Sequence, residues 1–256
     1  MATVLHESKD QISYIYLNRP DRYNALNKEM LEELLKVIEQ VEKNTDELVI
    51  LAGKGKAFCA GGDMQMLKDF ADREIYDEVM QTIGKIVMKL YTMPKIIISA
   101  IHGSAAGLGL SLALTADYVV AQNDSKLGML FIGVGLAPDG GGHFWLEQRL
   151  GAQKAKQFTW GLEQVKGPKA EAMGLVDITT DDPVLEHASQ LAGRLLTSPM
   201  VAMLKTKMIY HSKQKAELQY YLNEEQKAQW ELRNTEDHKE GVQAFLDKRK
   251  PLFKGK

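Results

Sequence analysis

One aspartate stands alone in a run of small and apolar residues: Asp139, in Gly135-Leu136-Ala137-Pro138-Asp139-Gly140-Gly141-Gly142. Its neighbours in that run offer no compensating charge. Burial there raises a carboxyl pKa, and a desolvated carboxylate is a better base toward a carbon acid. The same pattern also suits an aspartate in a type I turn, or one capping a helix over His143–Leu150. On its own the local sequence favours the turn or cap.

Two glycine-rich segments each follow an apolar run. Lys56-Ala57-Phe58-Cys59-Ala60-Gly61-Gly62-Asp63 comes after Leu48–Ala52, and its small residues let a ligand approach the backbone closely. Taken alone it reads as a plain strand-to-helix turn. His102-Gly103-Ser104-Ala105-Ala106-Gly107-Leu108-Gly109 comes after Lys95–Ile101 and leads into an apolar helix that should end near Asp117. A helix N-terminus leaves N–H groups unpaired and carries positive partial charge, which suits an anion. The glycines match a dinucleotide fingerprint only loosely and no suitably spaced acid follows, so a nicotinamide cofactor is not expected. Two such turns can each aim one N–H at the same oxygen, and a pair of fixed donors stabilises an oxyanion as it forms.

These turns need strands to end on and helices to begin. Ile12–Leu17, Leu48–Ala52 and Lys95–Ile101 read as strands, the last apolar enough for a sheet covered on both faces. Lys28–Glu42 and Asp77–Tyr91 read as helices, the second stopped near Pro94. The alternation is that of an α/β domain with parallel strands. After about Gly151 helices take over: 152–160, 168–173, 183–196, 199–210, 217–233 and 236–248. The expected organisation is an α/β core over residues 1–195 and a helical region over 196–256. The mixed charges of Lys28–Glu42 and Glu217–Asp237 read as solvated helix faces.

The composition excludes several classes. The 256 residues are 45% hydrophobic and 26% charged, with a formal net charge of −2, so no global basic field attracts nucleic acid. Cys59 is the single cysteine, which precludes an intrachain disulfide and fits a reducing compartment. It reads as a small packing residue. His6, His187, His211 and His238 show no metal-ligand spacing, and no metal is expected. His102 and His143 read as structural or pocket-lining. No run is long and apolar enough for a bilayer, and Met1–Glu7 does not read as a signal peptide, so a cytoplasmic location without membrane partners is expected.

In combination these segments resemble the crotonase (enoyl-CoA hydratase/isomerase) family. Ala57–Asp63 looks like its first oxyanion segment, and His102-Gly103 through Ala116-Asp117 like its second. Asn18-Arg19-Pro20 with Asn24-Ala25-Leu26 resembles its N-terminal CoA-side motif, Ala170–Val176 its post-core helix and Phe245–Pro251 its C-terminal signature. The resemblance implies a spiral of ββα units with an α-helical C-terminal trimerisation region, assembled as a homotrimer or hexamer. It implies an acyl-CoA substrate and no separate cofactor. Oxyanion donors are implied at the N–H groups of Gly62 and Leu108; the latter stands where most members have glycine, and its side chain would crowd the acyl pocket. Substrate and CoA contacts are implied at Arg22, Ala25, Ala60, Asp63, Met64, Phe131, Phe245 and Lys248.

The departures from the family pattern bear on the reaction. Hydratases of the family use two glutamates; the matching positions here are Ser111 and Phe131. Members that shift double bonds, including 1,2-epoxyphenylacetyl-CoA isomerases, carry an acid in the loop that holds Asp139. The resemblance therefore turns the reading of Asp139 from a turn residue to an acid/base for enoyl-CoA isomerisation. The alternatives are a hydratase with atypical residues, a ring-expansion isomerase acting on an epoxidised aromatic acyl-CoA, and a non-catalytic acyl-CoA-binding subunit.

Overall fold

In the computed structural model, which describes residues 2–66 and 72–256, the chain builds a six-stranded sheet from β1 (Val4–Lys9), β2 (Ile12–Leu17), β3 (Leu48–Gly53), β4 (Ile96–Ile101), β6 (Tyr118–Gln122) and β9 (Ile178–Thr180). Only β1 and β2 run antiparallel; every later neighbour pairs in parallel. β4 is central, and all six of its residues are buried. Ile97 and Ile101 face one apolar cluster with α1 (Lys28–Lys43) and α2 (Arg73–Thr92), while Ile96, Ile98 and Ala100 face a second with Val184, Ala188 and Leu191. Those last three belong to α7 (Val184–Leu196). The continuous apolar run of β4 is thus the signature of a strand covered on both sides.

A second layer is made of short extended pieces. β5 (Ser104–Ala106) pairs in parallel with β7 (Lys126–Gly128), which pairs antiparallel with β8 (Val165–Lys166). The segment after β3 joins this layer through a parallel bridge between Cys59 and Ala105. Three times the chain leaves the large sheet, makes an extended step in the small one and then enters a helix. β3 and Cys59 lead toward α2, β4 and β5 lead into α3 (Leu108–Ala113), and β6 and β7 lead into a 3-10 helix at Leu130–Val134. This repeated strand–strand–helix climb is the expected ββα spiral.

The remaining helices are α4 (Gly142–Leu150), α5 (Ala152–Trp160), α6 (Gly167–Ala172), α8 (Met200–Arg233) and α9 (Glu236–Leu246). The expected helices over 199–210 and 217–233 are one uninterrupted helix, α8, because no glycine or proline interrupts Met200–Arg233. The apolar helix expected to reach Asp117 stops at Ala113. Asp117 instead accepts from the Ile97 N–H at 2.8 Å and the Lys207 ammonium at 2.7 Å, tying β4 to α8. The last helix ends at Leu246, two residues before the expected Lys248, whose φ of 54° places it in the left-handed region. The short strands β5, β7, β8 and β9 carry two or three residues, too few for periodicity to reveal them, and β1 and β6 go beyond the strands expected from the sequence. No helix among the described residues is long and apolar enough to cross a membrane.

Candidate active site

The two glycine-rich turns are zipped together. The Phe58 N–H donates to the His102 carbonyl at 2.9 Å, Cys59 N–H to Ser104 at 3.0 Å, and Ala106 N–H back to Cys59 at 3.0 Å. The approach is so close that a Cβ on Gly61, at φ +99°, would stand 2.7 Å from the Ala106 carbonyl oxygen. Both segments therefore emerge side by side at the same end of the small sheet. There Leu26 N–H donates to Gly61 and Asp63 N–H to Leu26, a pattern that skips the N–H of Gly62. Leu108 opens α3 directly after Gly107 (φ +51°), so its N–H precedes the helical ladder. Among the described residues neither N–H donates to a protein acceptor, and both residues line one cavity of about 400 Å³.

The cavity is walled mainly by apolar side chains. Tyr76, Met80 and Ile83 come from α2, Phe131 and Leu136 from the segment after β7, and Phe245 from α9. Asp139 is the only carboxylate among its described lining residues. Its side chain accepts a hydrogen bond at Oδ2 from Gln229 Nε2 at 3.2 Å, while Oδ1 is buried without a partner among the described residues. Burial, and then the charge of Glu225, push its pKa well above the ordinary carboxylate value. Asp139 is not a helix cap: the N-cap of α4 is Gly141, and only the Asp139 carbonyl takes part in the turn, accepting from Gly142 N–H at 3.0 Å.

Of the residues expected at the site, Gly62, Leu108, Asp139, Ala60, Met64, Phe131 and Phe245 line this cavity. Arg22, Ala25, Asp63 and Lys248 lie outside its lining. Asp63 pairs with Arg19 at 2.9 Å, and the Ala25 carbonyl accepts from the same guanidinium, so one arginine ties the N-terminal motif to the first turn. Arg22 and Lys248 are exposed. The Leu108 side chain turns onto Gly140, where a Cβ would come within 2.5 Å of Leu108 Cδ1. The extra side chain packs against the loop that carries Asp139.

Ser111 and Phe131 act on the scaffold as well. Ser111 is fully buried, and its hydroxyl donates to the Asp139 carbonyl at 2.7 Å. Phe131 presents ring atoms 3.6 Å from where a Gly107 Cβ would stand, filling space beside the second turn. The His102 Nε2–H donates to the Gly55 carbonyl at 3.0 Å and His143 sits 2.8 Å from Glu225, so both are structural and neither lines the cavity. Cys59 is fully buried, and its thiol is pushed up to about 12 by that burial. No cluster of candidate metal ligands occurs among the described residues.

Sequence reading missed the contribution of α8. Gln229 and Arg233 line the cavity, and Glu225 lies just behind Asp139. The 217–233 segment was expected to be a solvated charged face, yet Glu225 is 2% exposed and Gln229 4%. The available signal is their spacing: positions 225, 229 and 233 fall on one helical face, which mixed charge in the segment conceals.

A spiral of strand pairs with two zipped glycine turns opening into one apolar cavity defines the crotonase fold. The chain belongs to the enoyl-CoA hydratase/isomerase family, whose model matches residues 7–256. Relatives are similar end to end. YhaR of Bacillus subtilis, whose name places it in the hydratase/isomerase group, is 44% identical over 253 residues, 99% of each chain. The 1,2-epoxyphenylacetyl-CoA isomerase of Escherichia coli is 32% identical over 267 residues, covering 100% of both. Among solved structures, an enoyl-CoA hydratase from Mycobacterium avium subsp. paratuberculosis superposes with a TM-score of 0.90 at 27% identity, covering 99% of each chain.

Proposed function

We infer that the protein isomerises the double bond of an enoyl-CoA, with Asp139 as the acid/base and the N–H groups of Gly62 and Leu108 as the oxyanion donors. The single observation that carries this reading is Asp139, the one carboxylate among the described lining residues, raised in basicity by burial. A 3-enoyl-CoA placed with its thioester oxygen at the two free N–H groups has an acidic proton at C2. The Asp139 carboxylate takes that proton, and the C–H electron pair moves into the thioester as a dienolate. The new charge falls on the oxygen, where fixed dipoles already point. The carboxylic acid then returns the proton to C4, and the double bond comes to rest between C2 and C3. No water and no cofactor is consumed.

Two further features support isomerisation over hydration. Ser111 and Phe131 occupy the positions that the family pattern assigns to the hydratase glutamates; one is buried in a structural bond and the other is apolar. The relatives' names point both ways, to an isomerase and to a hydratase, so this reading leans on the residues. The E. coli isomerase named for 1,2-epoxyphenylacetyl-CoA motivates a second reading, since ring expansion of an epoxidised aromatic thioester would use the same carboxylate. The reading extends to a cytoplasmic homotrimer or hexamer, whose interface would cover the exposed Val201, Ile209, Tyr210 and Tyr220 of α8. Sedimentation analysis tests the assembly.

Incubation with 3-enoyl- and 2-enoyl-CoA in deuterated water, followed by mass analysis, tests the reaction. Isomerisation gives the shifted alkene with deuterium exchange at C2 or C4. Accumulation of 3-hydroxyacyl-CoA instead would overturn it in favour of hydration.

A further inference from the structure

We propose that Glu225 and Gln229, one turn apart on α8, are positioning residues that set the basicity of Asp139 by opposing means. The inference rests on the reading of Asp139 as the base. Glu225 enters from α8 behind the glycine run and takes three donors from it. Its Oε2 accepts from the Gly141 N–H at 2.7 Å, and its Oε1 accepts from the His143 N–H at 3.0 Å and the His143 Nδ1–H at 2.8 Å. A carboxylate so held is a fixed negative charge beside Asp139, and like charge disfavours ionisation of the second carboxyl. Gln229 works in the other direction. Its Nε2 donates both to the Ala137 carbonyl at 2.6 Å and to Asp139 Oδ2 at 3.2 Å, favouring the ionised form. The amide thereby holds one carboxylate oxygen, Oδ2, and with it the orientation of the carboxyl at the cavity wall.

The arrangement goes beyond loop support. The loop's own bonds, from Ser111 to the Asp139 carbonyl and from Gly142 N–H to the same oxygen, already fix the turn. A neutral glutamine on α8 would fill the same space and still offer an acceptor oxygen to the Gly141 and His143 N–H groups. A buried carboxylate placed next to another raises the cost of ionising Asp139, an arrangement that clusters at functional sites. The other titratable groups near the pair are few. Tyr76 of α2 is held with its phenol above the ordinary range by burial first and then by Asp139. Arg233 of α8 lies 5.2 Å from the centre of the Tyr76 ring, with Arg73 of α2 at 5.9 Å from it. Glu225 itself faces His143 of α4, whose ring stacks parallel to Tyr221 at 6.3 Å.

The test reads the Asp139 carboxyl directly, by carbon-13 titration of protein labelled at the aspartate carboxyls, with Asp139→Asn identifying its signal. Glu225→Gln removes the charge and keeps an acceptor; the Asp139 midpoint moves down, on the order of one pH unit. The acid limb of kcat/KM on 3-enoyl-CoA moves down with it, and plateau turnover falls by up to about tenfold, as expected for a weaker base. Gln229→Met keeps the length and removes the donor; midpoint and acid limb move up. A purely structural role for both residues predicts lower turnover with neither midpoint moved, and that result overturns the proposal. If Glu225→Gln does not fold, Gln229→Met decides alone, an unmoved midpoint counting against. Retained isomerisation by Asp139→Asn would sink the assignment of the base, while the titration would still show whether the two α8 residues tune this carboxyl.

Discussion

The two sides of the cavity are built from different materials. The oxyanion side is backbone: the N–H groups of Gly62 and Leu108, placed by turns that lie within a few residues of β3 and β4 and are zipped to each other. The base side is side chain: Asp139, held by Gln229 from 90 residues further along and backed by Glu225, which reaches the Gly141 N–H across 84 positions. In the proposed reading a backbone donor survives a change of side chain, and Leu108 keeps its N–H at the start of α3 while its side chain packs on Gly140. A carboxylate's strength depends on every charge and dipole around it. The donors of the first side are therefore insensitive to pH, although the turns that place them leave no room for a side chain at Gly61; the second side responds both to pH and to the charge of its neighbours.

The largest break in that comparison comes from the base side. Asp139→Asn keeps the size, removes the basic lone pair and should abolish isomerase turnover, by at least the factor of about 10²–10⁴ associated with a positioned acid or base. Calorimetric CoA-ester binding should be nearly unchanged. Wild-type rates in the folded variant would return Asp139 to the role of a turn residue.

On the other side, Gly62→Pro deletes a donor. No heavy atom stands within 4 Å of a Cβ at Gly62, so the ring's first carbon has room, and circular dichroism should report a folded protein. Turnover should fall by about 10²–10³, the typical effect of one oxyanion donor. Full activity would mean that this N–H faces no developing charge.

The pH response separates the two sides next. Because Asp139 must be ionised to act and its pKa is raised, kcat/KM should be high above that raised value and fall as pH drops through it, well above the ordinary carboxylate range. Stability should run the opposite way. A pKa raised on folding contributes stability that is fully present below the unfolded carboxyl value of about 3.9 and is lost as pH rises through the folded one. Asp139→Asn escapes that loss, so its Tm should exceed that of the wild type increasingly across this window. A Tm difference that does not change with pH would show that Asp139 titrates normally. The smallest effect is expected at the rim: Lys248→Glu should weaken CoA binding at low salt and little at high salt, as screening of an exposed charge requires. Calorimetry showing equal affinity at low salt would remove Lys248 from the ligand contacts.

Much of the fold was legible along the chain. β2, β3 and β4 announce themselves by β-branched apolar runs, and α1 and α7 by the recurrence of apolar residues at helical spacing. The short strands β5, β7, β8 and β9 did not, since two or three residues hold no period and their partners lie far off in sequence. The continuity of α8 escaped notice because its apolar face changes direction along its length. Val201 and Ile209 are exposed, whereas Leu218 and Leu222 are buried against the core. One helix that serves two surfaces looks like two helices when each face is judged locally.

At the site the division is sharper. The sequence alone placed both glycine-rich turns after strands and a helix start at the second, which are properties of neighbours along the chain; the proposed donors Gly62 and Leu108 came from the family resemblance, and their meeting at one cavity from the pairing of the two turns. The sequence also determined that Asp139 lacks local compensation. What only the tertiary structure decided is how that carboxylate behaves. Burial lifts its pKa, Glu225 lifts it further and Gln229 occupies one of its oxygens. Those terms act through space over a few ångströms, between residues that meet only after α8 has packed beside the loop, and no local pattern encodes such an encounter.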